Sequence, residues 1–440
     1  MPDWQESLTV GGLRCRVGSR RTGMERLTQD WRSPVLRRWM SVSVFSAPAV
    51  RLAAPAFALS LALAACSGGT SGLPGFDTQQ AQPPGGTAPT GQTIGQGKVR
   101  VGLILPLTAE GQGATVGNAL KNAAEMALAE FPGADLTLLV KDDRGTPQGA
   151  QAAAQEALAE GAELIIGPLF APSVQAAAQV ARGGGRPVMA FSSDSNVAGR
   201  NVYLLSFPPE NDVNRVIAYA SQQGRKSFAA LIPDTAYGSV VEAAFRQAVA
   251  DRGARAVAIE RFGADANAMR AAVTRLSPAL AQADALFVPA AADTMPALGL
   301  ALQQGGYDPA KVKPLGTGVW NDANVARVPA IQGGWFASPD TAGFNAFAGR
   351  YQQRFNSAPT RTATLAYDAV SLAAALARTQ GSQRFSESVL TNPSGFAGAD
   401  GVFRFRPDGR VERGLAVLEL RNGQIVTVNA APRDLGARTQ

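Results

Sequence analysis

The sequence predicts an α/β fold in which two doubly wound parallel-sheet lobes face each other across a cleft. Three observations carry that expectation. From Val99 onward, short apolar runs alternate with helix-length stretches that are apolar on one side. The runs are continuously apolar, as strands are when helices cover both faces of a parallel sheet. The rhythm also runs twice, over about 220 residues, which gives more strands than one open sheet comfortably holds.

Val99–Leu105 is the first strand, Gly113–Glu130 the first helix and Leu136–Val140 the next strand. Thr146 and Pro147 supply a hydroxyl N-cap and a first-turn proline, opening a helix that runs to Glu160. Leu164–Ile166, helix Pro172–Arg182 and strand Val188–Phe191 close the first series. In the second, helix Asp212–Gln223, strand Phe228–Ile232, helix Ser239–Gly253 and strand Arg255–Glu260 are followed by Ala285–Pro289, Thr294–Gln304 and Val312–Leu315. Thr341–Phe355 and Arg361–Ala377 are helical. The tail changes character: Gly401–Phe405, Gly414–Leu420 and Gln424–Val428 read as antiparallel, with turns at Pro407-Asp408-Gly409 and Arg421-Asn422-Gly423.

The chain of 440 residues has no histidine and two cysteines, Cys15 and Cys66. That excludes a Ser-His-Asp triad, a Cys-His dyad, histidine-ligated zinc and Cys-rich clusters, so neither catalysis nor a cofactor is expected. Residues 1–65 read as a leader. Arg37, Arg38 and Arg51 precede the apolar run Leu52–Ala65, which is too short to span a bilayer but has the length of a signal-peptide core. Met24 and Met40 offer alternative starts. Leu63-Ala64-Ala65-Cys66 resembles the bacterial lipobox, in which the cysteine is lipidated and becomes the new N-terminus; Ser67 after it implies sorting to the outer membrane. The formal charge of +7 is mostly the leader's, whose nine arginines face only Asp3, Glu6, Glu25 and Asp30. The remainder is near neutral, which removes the electrostatic case for nucleic acid. Residues 66–97 are Gly, Pro, Gln, Thr and Ser with almost no charge, and read as a flexible tether before a folded unit at 98–431.

The stretches Val101-Gly102-Leu103-Ile104-Leu105-Pro106-Leu107-Thr108, Ile165-Ile166-Gly167-Pro168 and Pro233-Asp234-Thr235-Ala236-Tyr237-Gly238, in that order and spacing, resemble the type I periplasmic binding proteins, specifically the leucine/isoleucine/valine-binding family. The resemblance implies three chain crossings between lobes, with 98–206 and 333–395 in lobe 1, and 207–332 and 396–431 in lobe 2. Within the family, Ala190-Phe191-Ser192-Ser193-Asp194, Val202-Tyr203-Leu204-Leu205-Ser206-Phe207 and Phe403-Arg404-Phe405 with Asp408-Gly409 look most like a lipoprotein branch that includes activators of penicillin-binding proteins. Two partners follow from these resemblances: a cell-wall synthase contacted by an anchored module, or the permease of an ABC importer served by a receptor for a small polar ligand.

Ligands of open parallel sheets sit beyond the carboxyl ends of the strands. The candidate loops are therefore Thr108–Gly113, Gly167–Ser173 and Ser192–Asn196 in lobe 1, with Asp234–Gly238, Pro289–Asp293 and Gly316–Asn321 in lobe 2. Thr108, Gln112, Ser173, Ser192, Ser193 and Ser195 offer neutral donors suited to a carboxylate. Tyr237 sits where the family stacks an aromatic ring on its ligand. Two departures stand out. Phe170-Ala171-Pro172 replaces the family's small hydroxyl residue, and Gly316-Thr317-Gly318-Val319-Trp320 lacks the acid that pairs a ligand ammonium. A site without that acid should bind a free amino acid poorly, unless Asp293 or Asp322 compensates. Gly111-x-Gly113-x-x-x-Gly117 is no dinucleotide fingerprint, because its first glycine lies about six residues beyond the strand end.

Overall fold

The computed structural model describes residues 91–436. The leader, Cys66 and most of the tether lie outside the described residues. Lobe 1 opens with β1 (Thr93–Ile94), β2 (Val99–Leu105), α1 (Gln112–Ala129), β3 (Leu136–Asp142), α2 (Pro147–Ala159), β4 (Leu164–Ile166), α3 (Ala171–Gly183), β5 (Val188–Ala190) and β6 (Val202–Leu204). The chain then crosses to lobe 2: α4 (Pro209–Gln222), β7 (Ser227–Pro233), α5 (Ala236–Ala250), β8 (Arg255–Phe262), α6 (Ala266–Leu280), β9 (Ala285–Phe287), α7 (Met295–Gln304), β10 (Lys313–Gly316) and β11 (Trp335–Ser338). It returns for α8 (Thr341–Phe355), α9 (Ala363–Thr379), α10 (Glu387–Leu390), β12 (Phe396–Gly398), β13 (Gly401–Phe405) and β14 (Val411–Arg413), then crosses again to β15 (Ala416–Arg421) and β16 (Gln424–Asn429).

Each lobe is one sheet between two helical layers. Lobe 1 has strand order β1-β3-β2-β4-β5-β6 and lobe 2 β16-β15-β11-β10-β9-β7-β8, with β1, β15 and β16 antiparallel to their neighbours. The order reverses beside β2 in lobe 1 and beside β7 in lobe 2, so the loops after β2, β4, β7 and β9 flank the two crevices. The buried strands bear out the apolar runs: Val101, Leu103 and Leu105 pack toward α1 and α9, and Ile104 toward α2 and α3. Thr146 caps α2 as its sequence predicts, its hydroxyl accepting from the Gly149 N–H at 3.0 Å. The sequence reading passed over α6, whose buried Met269, Ala272, Val273 and Leu276 follow helical spacing. Pro278 disguised it, but in the last turn a proline removes only one backbone donor.

Three boundaries differ from expectation. The expected lobe 1 segment 333–395 begins too early, because β11 pairs parallel with β10 and antiparallel with β15, so Trp335–Ser338 belongs to the second sheet. The expected lobe 2 segment 396–431 is divided. Strands β12–β14 form their own sheet, and Phe403, Phe405 and Val411 are buried in the lobe 1 core. The turn at Gly409 also accepts the Leu204 N–H at 2.8 Å. Only β15 and β16 join lobe 2. Finally, the folded unit starts before Lys98: β1 pairs with β3, the Val140 N–H donates to the Gln92 carbonyl at 3.0 Å, and the Thr137 hydroxyl donates to the Gly97 carbonyl at 2.7 Å. This cover satisfies what would otherwise be an open sheet edge.

A chain starting at Gly91 should therefore be more stable than one starting at Lys98 by about 1 kcal/mol, the scale of a few partly solvated hydrogen bonds. Urea unfolding of the two would measure it, and identical midpoints would mean that β1 adds nothing.

Candidate functional site

A cavity of about 390 Å³ opens between the lobes. Its walls come from lobe 1 (Ser193, Arg361), from lobe 2 (Asp212, Tyr237, Asn321, Ser338) and from the crossings (Phe207, Arg413). A second cavity of about 440 Å³ lies on the lobe 1 side and shares Ser193 and Phe207 with the first. It is mainly apolar, lined by Val116, Leu169, Phe170, Phe191 and Leu365.

The first cavity is built around charge. Phe207, on the first crossing, carries the Arg361 guanidinium 4.6 Å and the Arg413 guanidinium 4.4 Å from its ring centroid. Arg361 forms a two-pronged ion pair with the buried Asp400, both bonds at 2.8 Å. Arg413 is 7% exposed and spends its Nε–H on the Ser206 carbonyl at 2.7 Å. Burial pulls it below the usual guanidinium range, against the attraction of Asp368, Asp400 and Asp212. Asp368 is buried in α9, with Oδ1 accepting from the Ala399 N–H at 2.7 Å. Desolvation pushes it up to about 7 despite Arg413.

Asp212 lies in the first turn of α4, half-buried at the cavity wall. Its Oδ2 accepts the Gly318 N–H at 2.8 Å. Desolvation raises it to about 7 and Glu210 adds to the rise, while the Gly318 bond and the two arginines oppose it. Gly318 is glycine for a reason of space: a Cβ there would lie 2.9 Å from Asp212 Oδ2. The sequence Gly316–Trp320 also finds its explanation. The Trp320 indole packs over Gly316, where a Cβ would meet the ring at 2.2 Å, and its Nε1–H donates to the Val288 carbonyl at 3.0 Å.

Of the residues singled out from sequence, Ser193 and Tyr237 line the first cavity, and Ser192 and Ser193 the second. The Tyr237 and Thr317 hydroxyls are 2.7 Å apart, and burial raises the phenol's pKa. The other four lie elsewhere. Ser195 donates to Glu210 Oε1 at 2.8 Å, tying the lobe 1 loop to the start of α4. Thr108 donates to Asp142 Oδ2 at 2.5 Å and so joins the loop after β2 to the end of β3. Gln112 is exposed at the first position of α1. Ser173 is fully buried in α3, its hydroxyl without a partner among the described residues. The sequence reading missed Asp212, Phe207, Arg361 and Arg413, because they come from crossings and helix starts rather than from loops at strand ends. The Gly316–Trp320 loop does lack an acid, but the cavity has one, Asp212, which comes from α4. Asp293 and Asp322 do not supply one, since their carboxylates bond Thr294 and the Asn324 N–H within their own turns.

The family model for periplasmic binding proteins matches residues 98–424. The chain belongs to this family. Among solved periplasmic binding proteins it is similar to a branched-chain amino acid ABC transporter ligand-binding protein from Burkholderia xenovorans, with TM-score 0.61, 16% identity, and coverage of 78% of this chain and 97% of that one. It also resembles a solute-binding protein from R. palustris in complex with benzoate (0.53, 18%, 78% and 100%). A third is the branched-chain amino acid substrate-binding protein from Streptococcus pneumoniae in complex with isoleucine (0.52, 20%, 75% and 99%). No curated protein matches the sequence. Members of the family are binding proteins, and the type I two-lobed fold is the one observed.

Burial of Asp368 has a measurable sign. The native state keeps a proton up to about pH 7 that the unfolded chain releases near 3.8. The stability this group contributes is full below the lower value and lost as pH rises through the upper one. Asp368→Asn, which keeps an acceptor for Ala399, should therefore gain stability relative to the parent between about pH 4.5 and about pH 8. Unfolding midpoints at the two pH values test this, and a pH-independent difference would contradict it.

Proposed function

We propose that this protein is a periplasmic receptor, the substrate-binding component of an ABC importer, which closes its lobes over a small ligand bearing a cationic amine. The observation that carries the reading is Asp212. A carboxylate at the cavity wall, with one oxygen fixed by a backbone N–H and desolvation opposing its charge, is poised for a cation that restores the charge. Tyr237 stands beside it as an aromatic wall, and Ser193 faces from lobe 1. The relatives bound to isoleucine and to benzoate indicate the size of ligand that such clefts hold.

Lipidation of Cys66 would hold the receptor at the periplasmic face of the envelope, and the lipobox with the tether behind it supports that arrangement. Cys66→Ser should then abolish palmitate labelling; persistent label would remove the anchor. The lipoprotein-branch resemblance supports a second partner, a penicillin-binding protein, with the fold serving as a scaffold.

The experiment that separates the two is thermal unfolding against a panel of amino acids and small amines. A ligand at about a hundred times its Kd stabilises the native state by about 2.7 kcal/mol. A saturable shift is expected, and it should disappear in Asp212→Asn and shrink in Tyr237→Ala. If no member of the panel shifts the parent protein while crosslinking in membranes recovers a penicillin-binding protein, the receptor reading is wrong.

A further inference from the structure

We infer that the open edge of the lobe 2 sheet joins two copies of this chain, β16 pairing antiparallel with β16 of a second copy. The inference does not depend on the receptor reading. Each large sheet has two edges. In lobe 1, β1 closes one with only Thr93 and Ile94. The Gly409 turn covers the other, so close to β6 that a Cβ there would meet the Val202 carbonyl at 2.1 Å. In lobe 2, β8 carries Arg255, Glu260 and Arg261 along its length. Among the described residues β16 pairs only with β15, and Gln424-Ile425-Val426-Thr427-Val428-Asn429 contains no charge and no proline. Natural proteins blunt an open edge with such residues or with a covering segment, and β16 has neither.

The hairpin turn fixes which backbone groups face outward. Asn422 and Gly423 both have positive φ, 54° and 75°, as a two-residue type I′ turn requires. The flanking pair Arg421 and Gln424 therefore exchanges both backbone bonds, and the ladder alternates from there. Gln424 and Val426 turn their N–H and C=O toward β15. Ile425 and Thr427 turn theirs to the open side, where no described residue outside the sheet bonds them. The register shift in this ladder falls beyond Thr427, so the stretch is regular. Two such edges match about a two-fold axis at the half-buried Val426. Ile425 of each copy then exchanges bonds with Thr427 of the other, and the Val426 side chains meet across the axis as a non-hydrogen-bonded pair. No like charges are opposed. The same operation on β8, about Ala258, would set Arg255 opposite Arg261 and oppose two cations. A neutral edge offers nothing to an acidic or a basic peptide, whereas it is complementary to itself.

Val426→Cys in the full chain, oxidised in its own envelope, tests the pairing. The Cα atoms of a non-hydrogen-bonded antiparallel pair lie about 4.5 Å apart, within disulfide range. A reducible band at twice the chain's mass is expected, with none from the parent or from Ala256→Cys at an exposed position of β8. Sedimentation of the detergent-solubilised parent from about 1 to about 200 µM should show dimer growing with concentration, as a small interface gives. Val426→Lys sets two cations across the axis while facing Glu419 on its own ladder, and should stay monomeric over that range. A missing cysteine band, an equal band from Ala256→Cys, a parent that stays monomeric, or a dimer undiminished in Val426→Lys would overturn the assignment. So would a disulfide adduct of another mass, which would give the edge to a different protein. The cysteine band and the parent's sedimentation decide the matter even if Val426→Lys fails to fold.

Discussion

Three chain crossings join the lobes, and the Phe207 ring sits among them. Phe207 on the first crossing is sandwiched by Arg361, just before α9, and by Arg413, just before the third crossing. Cation–π attraction is modest in water and larger where the cation is desolvated, as Arg413 is. The bidentate bond of Arg361 to Asp400 and the bond of Arg413 to the Ser206 carbonyl lock the arrangement. Asn211 donates to the Val411 carbonyl and Arg215 to the Leu415 carbonyl, so α4 is also fastened to the third crossing. The cleft owes its charged floor to this cluster, because the groups that hold the crossings together are also the groups that line the cavity.

Such a floor is expensive if it serves folding alone. Buried ion pairs seldom stabilise more than apolar packing would, and a buried fork with free donors is worse. A hydrophobic replacement of Arg413 and Asp368 would hold three strands together at lower cost. Retaining charge at a cavity between lobes makes sense when a ligand completes it, since the ligand's own charges then replace the missing partners. The same logic explains why Asp212 and Asp368 both lie near 7: desolvation opposes their ionisation while nothing opposite bonds them directly.

Most of the fold was legible because doubly wound sheets write a strong pattern. The runs Val99–Leu105 and Phe228–Ile232, with the Thr146-Pro147 cap, required no tertiary information. The lobe boundaries were less legible. Trp335–Ser338 is a short run whose sheet is chosen by pairing with β10 and β15, and Phe403 and Phe405 alternate like any edge strand whichever lobe buries them. The site was half legible. Tyr237 and Ser193 follow from strand-end topology, which is a local rule. Asp212 and Arg413 lie 201 positions apart in the chain and meet only because the crossings converge, so no spacing could have joined them. The apparent loss of the family's acid was a consequence of reading one loop in isolation. The Gly316–Trp320 turn lacks an acid because its backbone is occupied in holding one from elsewhere.

The most direct test of the account is a crystal structure of the protein isolated from its own cells without denaturation. The account predicts a small molecule in the cavity between the lobes, with an amine within hydrogen-bond distance of Asp212. A cavity holding only water would contradict it.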